Sequence, residues 1–84
     1  MFKNKNANGR RNICGGNIAL LRKSLNISQR ALADRLQLLG LDVSKNAVQQ
    51  IECGLRFVTD IELKIFAKVF RVTADALLEE RDGG

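Results

Sequence analysis

The stretch 28–52, SQRALADRLQLLGLDVSKNAVQQIE, predicts two short helices separated by a turn. Ser28 can cap the first helix, because its hydroxyl can accept a hydrogen bond from a free amide of the first turn. Apolar residues at helical spacing continue that helix as far as Gly40. Gly40 suits a helix end, since glycine enters the left-handed conformation without steric cost. Ser44 can cap a second helix that would end before Gly54, so the stretch predicts an all-α fold built around this pair.

The second helix of the pair has one apolar side and one polar side. Val48 and Ile51 lie three residues apart and are expected to face inward. The outward side chains are predicted to be Lys45, Asn46, Gln49 and Gln50. Asn and Gln amides pair with adenine edges, and Lys donates to guanine, so this face is typical of a helix that enters a major groove. The alternative is an ordinary solvated helix face, which is also polar and is common.

An ordered set of residues extends this pattern along the chain. It consists of Ile18, Leu21-Arg22, Leu25, Ile27-Ser28-Gln29, Leu32-Ala33, Val43-Ser44, Val48, Ile51-Glu52, Gly54, Leu63, Phe66-Ala67, Phe70, Val72, Asp75 and Leu77-Leu78. The set covers roughly residues 14–80 and resembles the helix-turn-helix domain of lambda-repressor and Cro type (XRE-like) transcriptional regulators. The resemblance implies a compact five-helix DNA-binding domain. One departure is the interval from Gln29 to Val48, which is longer than usual in that family and fits an extended second helix.

The resemblance also implies roles for individual residues. Arg22 and Glu52 are expected to form a partly buried ion pair that locks the first helix to the third. The base-reading residues would be Lys45, Asn46, Gln49 and Gln50. The residues expected to bind DNA phosphates are Ser28, Gln29, Arg30, Ser44 and Arg56. Phosphate contacts hold register on the duplex but do not read sequence.

Three more helices are predicted around the central pair. They would span about 13 or 15 to 25, about 60–70 and about 74–80. Thr59 and Glu62 form a capping-box pattern at the start of the fourth helix. Ile61 and Leu78 are expected to face inward. Phe57 is expected to fill the core, because aromatic stacking platforms usually present several rings on one surface.

The charge is distributed unevenly along a chain of 84 residues, a length that predicts one domain. Residues 1–33 hold seven Lys or Arg and no acidic residue, whereas 34–84 hold seven basic and nine acidic residues. A one-sided basic segment indicates polyanion binding, although RNA or an acidic membrane surface would suit the charge as well as DNA does. We divide the chain into a flexible basic arm at 1–12, a helix-turn-helix domain at 13–80 and a frayed tail at 81–84. The arm is interpreted as a solubilising leader rather than as a minor-groove element.

Several classes of protein are disfavoured by composition. There is no His and there are two Cys, so the ligands of a metal site are lacking and no metal or cofactor is expected. Both cysteines are expected to be free, partly buried thiols. We find no phosphate-binding glycine loop and no cysteine with a base partner, so an enzyme is not expected. The absence of a long apolar run predicts no membrane span, and the N-terminus lacks a signal peptide, which favours a cytoplasmic bacterial or phage-type regulator.

The sequence therefore favours a sequence-specific double-stranded DNA-binding transcriptional regulator, and within that class a repressor. A single small domain buries little surface on DNA, so we expect a homodimer on a two-fold site. The alternative is a protein-interaction module or an antitoxin that uses the same fold, because function depends on the site rather than on the fold. Salt dependence would separate the two, since DNA binding weakens steeply with salt.

Overall fold

The computed structural model describes residues 9–80, and within that range the chain forms five α-helices and no β-strand. The helices are α1 (Gly15–Ser24), α2 (Gln29–Leu38), α3 (Lys45–Glu52), α4 (Asp60–Phe70) and α5 (Ala74–Leu78). The predicted all-α architecture is confirmed. Residues 1–8 of the predicted arm and the predicted tail at 81–84 lie outside the described residues.

Local side chains define where four of the helices begin. The hydroxyls of Ser28, Ser44, Thr59 and Thr73 each accept a hydrogen bond from a backbone amide in the first turn of the helix that follows. At α4 the predicted capping box is complete, because the Glu62 carboxylate accepts a hydrogen bond from the Thr59 amide at 2.9 Å. Such caps replace bonds that the first helical amides cannot make within the helix.

The ends of α2 and α3 use the same turn. Gly40 and Gly54 both have positive φ, at 93° and 79°. At α2 the amides of Gly40 and Leu41 donate to the carbonyls of Gln37 and Leu36. This pairing is the Schellman arrangement, which needs a left-handed residue just after the helix. The predicted glycine stops are confirmed.

The core lies where all five helices meet. The helix pairs in most extensive contact are α2 with α3, α1 with α3, α4 with α5, α2 with α4 and α1 with α5. The largest fully buried side chains are Phe66, Ile18, Leu32, Leu36, Ile51, Leu77, Val48 and Cys14. Burial of one such aliphatic or aromatic side chain stabilises the fold by about 1.5–3 kcal/mol. Every helix contributes at least one of them, so α3 is held by the same core that defines the domain.

Three apolar side chains are not where the sequence predicted them. Ile61 is 70% exposed and Leu78 is also exposed, because α4 and α5 each turn only part of their apolar residues toward the core. Phe57 does not fill the core. Its ring is half exposed and lies under the guanidinium of Arg11, whose carbon is 5.8 Å from the ring centroid. A cation can satisfy an aromatic face in this way at the surface.

A buried asparagine joins the two ends of the domain. The Asn17 side chain on α1 donates to the backbone oxygens of Leu77 at 2.8 Å and Glu79 at 2.7 Å. Burying an amide is tolerated because these bonds replace its bonds to water. The last turn of the chain's helical region is thereby tied to α1.

The N-terminal boundary also differs from the prediction. Arg10, Arg11 and Asn12 were predicted to belong to a flexible arm, but all three are hydrogen-bonded to residues 51–56 at the end of α3. Asn12 is buried. The folded region therefore begins by Arg10, because these residues donate to carbonyls in the last turn of α3 and in the segment that follows it.

Candidate nucleic-acid interface

The two sides of α3 have opposite environments. Val48 and Ile51 are completely buried against the core. On the other side, four polar side chains are exposed to solvent, namely Lys45, Asn46, Gln49 and Gln50. The division follows from the sequence, because residues three and four apart share one face of a helix. The predicted outward orientation of these four side chains is confirmed, while their contact with bases stays a prediction.

A polar network supports α3 from behind. Arg22 Nε donates to Glu52 Oε2 at 2.7 Å, and Arg22 Nη2 donates to Glu52 Oε1 at 3.1 Å. The predicted ion pair is therefore present and bidentate, and the two side chains are only 12% and 7% exposed. Hydrogen bonding to Glu52 raises the pKa of Arg22 further above its usual value. Since Arg22 also donates to the Ile27 carbonyl at 2.9 Å, one guanidinium joins α1, α3 and the segment before α2.

The acid on α3 is thus turned away from the exposed face. Glu52 is the only carboxylate of the helix, and it is occupied by Arg22 and by Gln29, whose Nε2 lies 3.0 Å from Glu52 Oε1. A carboxylate with these partners presents little free negative charge to a phosphate. The polar face of α3 therefore carries amides and one ammonium.

The predicted phosphate-binding residues fall into two groups. Ser28, Arg30 and Ser44 are exposed, and both serine oxygens accept a capping bond that leaves the hydroxyl hydrogen available as a donor. They stand at the N-termini of α2 and α3, where free amides and the helix dipole favour anions. Gln29 is different, because its amide nitrogen already donates to Glu52.

Arg56 is also engaged within the domain. Its Nη2 donates to Glu62 Oε2 at 2.9 Å, and its side chain is about one-third exposed. Burial raises the pKa of the Glu62 carboxyl, but hydrogen bonds from the Thr59 backbone and from Arg56 outweigh burial and leave that pKa below its ordinary value. The pairing therefore joins the segment after α3 to the first turn of α4. A phosphate contact by Arg56 would have to compete with Glu62.

A cleft separates the start of α3 from α2. Its walls are formed by Arg30, Ala33, Asp34, Gln37, Ser44, Lys45 and Asn46. Asp34 places a carboxylate close to the exposed face, which sequence reasoning missed because that residue lies on the other helix. The extended second helix predicted from the long interval is present as far as Leu38, and Leu39 is its C-cap, but Leu41 and Asp42 lie outside the helix. The remaining residues form the connection 39–44, which Gln37 supports by donating to the Val43 carbonyl at 2.8 Å.

The described residues offer neither a metal site nor a disulfide. Within residues 9–80, no group of three His, Cys, Asp or Glu residues is arranged to hold a metal ion. Both cysteines are free thiols. Cys14 is buried, and burial raises its pKa to about 11, whereas Cys53 is exposed rather than partly buried as predicted. No helix among the described residues is long and apolar enough to cross a membrane.

Comparison with known proteins agrees with this geometry. A family model described as helix-turn-helix matches residues 18–77, which is most of the chain. The chain belongs to the helix-turn-helix family. No curated protein matches it. Among solved structures, this helix-turn-helix chain is similar to the P22 c2 repressor protein in complex with synthetic operator 9T in the presence of Tl⁺.

The similarity to that repressor extends over nearly its whole length. The TM-score is 0.69 at 28% sequence identity, and the match covers 82% of this chain and 97% of the repressor chain. The five-helix, lambda-repressor-like fold predicted from the sequence is thereby confirmed. For a helix-turn-helix protein, α2 and α3 are the two helices of the motif, and α3 is the second of them.

Proposed function

We propose that this chain is a sequence-specific double-stranded DNA-binding transcriptional regulator, a repressor, that reads the major groove with α3. The observation that carries the proposal is the pairing of a fully buried apolar face with an exposed amide-rich face on one rigidly held helix. Its support is membership of the helix-turn-helix family and similarity to a repressor bound to operator DNA. Such a regulator would act in the cytoplasm of a bacterium.

The proposed reading residues supply complementary chemistry. Gln49, Gln50 and Asn46 can each form two hydrogen bonds with an adenine edge, and Lys45 can donate to guanine O6 and N7. The major groove is wide enough to admit one α-helix. A helix only eight residues long enters the groove without obstruction only if the residues that hold it lie on its inner side, as Arg22 does through its ion pair with Glu52.

Phosphate binding is assigned to the residues around the two helix N-termini. Arg30, Ser28 and Ser44 are exposed there and have donors to offer. Gln29 is proposed to contact phosphate through the part of its amide that Glu52 does not occupy. Arg56 makes the weakest contribution in this proposal, because Glu62 holds its guanidinium.

A homodimer follows from the small size of the interface. One helix of this length contacts only a few base pairs, whereas tight and selective binding usually requires two half-sites about one helical turn of DNA apart. We therefore propose that two copies bind a two-fold operator.

The test is selection of bound fragments from random duplex DNA at moderate salt. We expect a consensus with two-fold symmetry. Gln50→Ala should then cost about 1–3 kcal/mol on the consensus and relax specificity at one position in each half-site. Arg30→Ala should weaken consensus and random DNA equally and reduce the salt slope by about 1.

A matched control is available on α4. Lys64→Ala removes the same charge as Lys45→Ala from an exposed helix position outside the proposed interface. Lys45→Ala should change the selected consensus, whereas Lys64→Ala should not. Recovery of no consensus by the wild-type chain would contradict the proposal and favour the protein-interaction module.

A further inference from the structure

The segment Arg10–Asn12, here called the N-terminal clasp, is bound across the C-terminal end of α3. Arg10 Nη2 donates to the Glu52 carbonyl at 2.9 Å, and Asn12 Nδ2 donates to the carbonyls of Ile51 at 3.0 Å and Arg56 at 2.8 Å. The Arg11 amide donates to the Gly54 carbonyl at 2.9 Å. These partners are 39 to 44 residues away in the sequence.

The clasp completes the hydrogen bonding of the last turn of α3. A helix leaves its last four carbonyls without partners inside the helix. In α3 the turn that follows satisfies the first three of them, since the amides of Cys53, Leu55 and Gly54 donate to the carbonyls of Gln49, Gln50 and Ile51. The clasp satisfies the Glu52 carbonyl and adds a second donor to Ile51. The Arg10 guanidinium also places a positive charge at the negative end of the helix dipole.

Two glycines allow this close fit. A Cβ at Gly15 would collide with the Ile51 carbonyl oxygen, and a Cβ at Gly54 would lie 2.7 Å from the Arg10 guanidinium carbon. Asn12 links the same two elements, because its Oδ1 accepts a hydrogen bond from the Gly15 amide at 2.7 Å. The start of α1 and the end of α3 are therefore joined through one buried side chain.

We propose that Arg10 and Asn12 are positioning residues for DNA reading: they hold the C-terminal end of α3 at the angle that lets its exposed face match bases, without contacting DNA themselves. The inference rests on the proposed function. The Arg22–Glu52 pair fixes α3 through a side chain, and the clasp fixes the backbone of its last turn. Because α3 is held both through a side chain and through its backbone, it cannot tilt to accommodate a wrong base without breaking one of these contacts. The clasp therefore contributes to discrimination between sequences.

The competing interpretation is that Arg10 tracks DNA phosphate. The two roles give different salt dependence. Loss of a phosphate contact weakens binding to all sequences and reduces the salt slope by about 1. Loss of a positioning contact lowers the ratio of consensus to random-DNA affinity and leaves the slope unchanged.

The experiment compares Arg10→Ala, Asn12→Ala and a matched control, Arg11→Ala. Asn12 is uncharged, so any effect on DNA binding cannot arise from lost charge. The control removes the same charge as Arg10→Ala, but among residues 9–80 the Arg11 guanidinium contacts the Leu55 carbonyl at 3.3 Å and the Phe57 ring, both beyond α3. Affinities for the selected consensus and for random duplex are measured over a salt series, at a temperature where all variants are folded by circular dichroism.

We expect Arg10→Ala and Asn12→Ala to reduce the ratio of consensus to random-DNA affinity by about tenfold, the size of one lost base contact. Arg11→Ala should keep the ratio of the wild type. An unchanged affinity ratio in both Arg10→Ala and Asn12→Ala would overturn the proposal. So would a salt slope that falls by about 1 in Arg10→Ala with equal weakening on both DNAs, because that result assigns Arg10 to phosphate.

A second measurement needs no DNA and separates this proposal from the proposed function. Hydrogen exchange of the amides at 52–55 should accelerate in Arg10→Ala and Asn12→Ala but not in Arg11→Ala, because the clasp closes that end of α3. Unchanged exchange would refute the clasp even if the wild type selects a consensus. Conversely, faster exchange in a protein that selects no consensus would refute the DNA-reading role of both the helix and the clasp.

Discussion

Replacing Glu52 by alanine should destabilise the domain strongly, because one carboxylate holds partners from two other parts of the fold. It accepts two bonds from Arg22 and one from Gln29, at 2.7, 3.1 and 3.0 Å. Hydrogen bonds to charged groups contribute about 1.5–3 kcal/mol each, but bonds that share one carboxylate do not add. Loss of one partner of a buried ion pair costs about 3–5 kcal/mol, which is the expected fall in the free energy of unfolding.

The measurement is thermal and urea unfolding followed by circular dichroism. For a domain of this size, 1 kcal/mol shifts the melting temperature by about 4–8 °C, so Glu52→Ala should melt at least about 12 °C below the wild type. Glu79→Ala removes the same charge from an exposed position and should change the free energy of unfolding by no more than about 0.5 kcal/mol.

A double-mutant cycle tests the physical reason for that loss. Arg22→Ala removes the other charge, so the double variant should be clearly more stable than the sum of the two single losses predicts. Wild-type melting of Glu52→Ala, or strict additivity of the two substitutions, would refute the assignment of a stabilising buried pair.

Two further predictions concern ionisable groups. The pKa of Glu62 is depressed in the folded state, so its contribution to stability is present above the unfolded pKa and is lost as pH falls through the folded pKa. Urea unfolding at a series of acidic pH values should therefore show a steeper loss of stability for the wild type than for Glu62→Gln, and parallel curves would contradict the assignment. For the thiols, Cys14 is buried with its pKa raised to about 11 while Cys53 is exposed, so a disulfide reagent should modify one thiol in the native protein and two in denaturant. Two rapidly reacting thiols under native conditions would show that Cys14 is accessible.

Most of the helices could be predicted because their signals are local. Ser28, Ser44 and Thr59 accept bonds from amides three residues ahead, and Gly40 and Gly54 close turns with their immediate neighbours. Such bonds join residues only a few positions apart in the chain. The residue types that make them can therefore be recognised in the sequence.

Burial was less predictable, since it depends on what covers a helix face. Leu36 and Leu39 lie three positions apart on the same predicted apolar face, yet Leu36 is fully buried and Leu39 is 41% exposed. Helical spacing indicates which residues share a face, but it does not say how wide the covered part of that face is. The same reason explains why Ile61 was predicted to face inward but is exposed.

For the candidate site, too, the sequence determined some features and the tertiary structure decided others. The polar face of α3 and its opposition to Val48 and Ile51 follow from the order of residues in eight positions, so the sequence alone determined which side chains could face DNA. Which of the predicted phosphate-binding residues are free was decided by tertiary structure, because Glu62 and Glu52 take up Arg56 and Gln29. The contacts of 10–12 with the end of α3 were likewise invisible, since a basic stretch gives no local indication of which distant carbonyls lack donors. A sequence records the bonds that neighbours can make, whereas the folded chain decides which remaining polar groups meet and must satisfy one another.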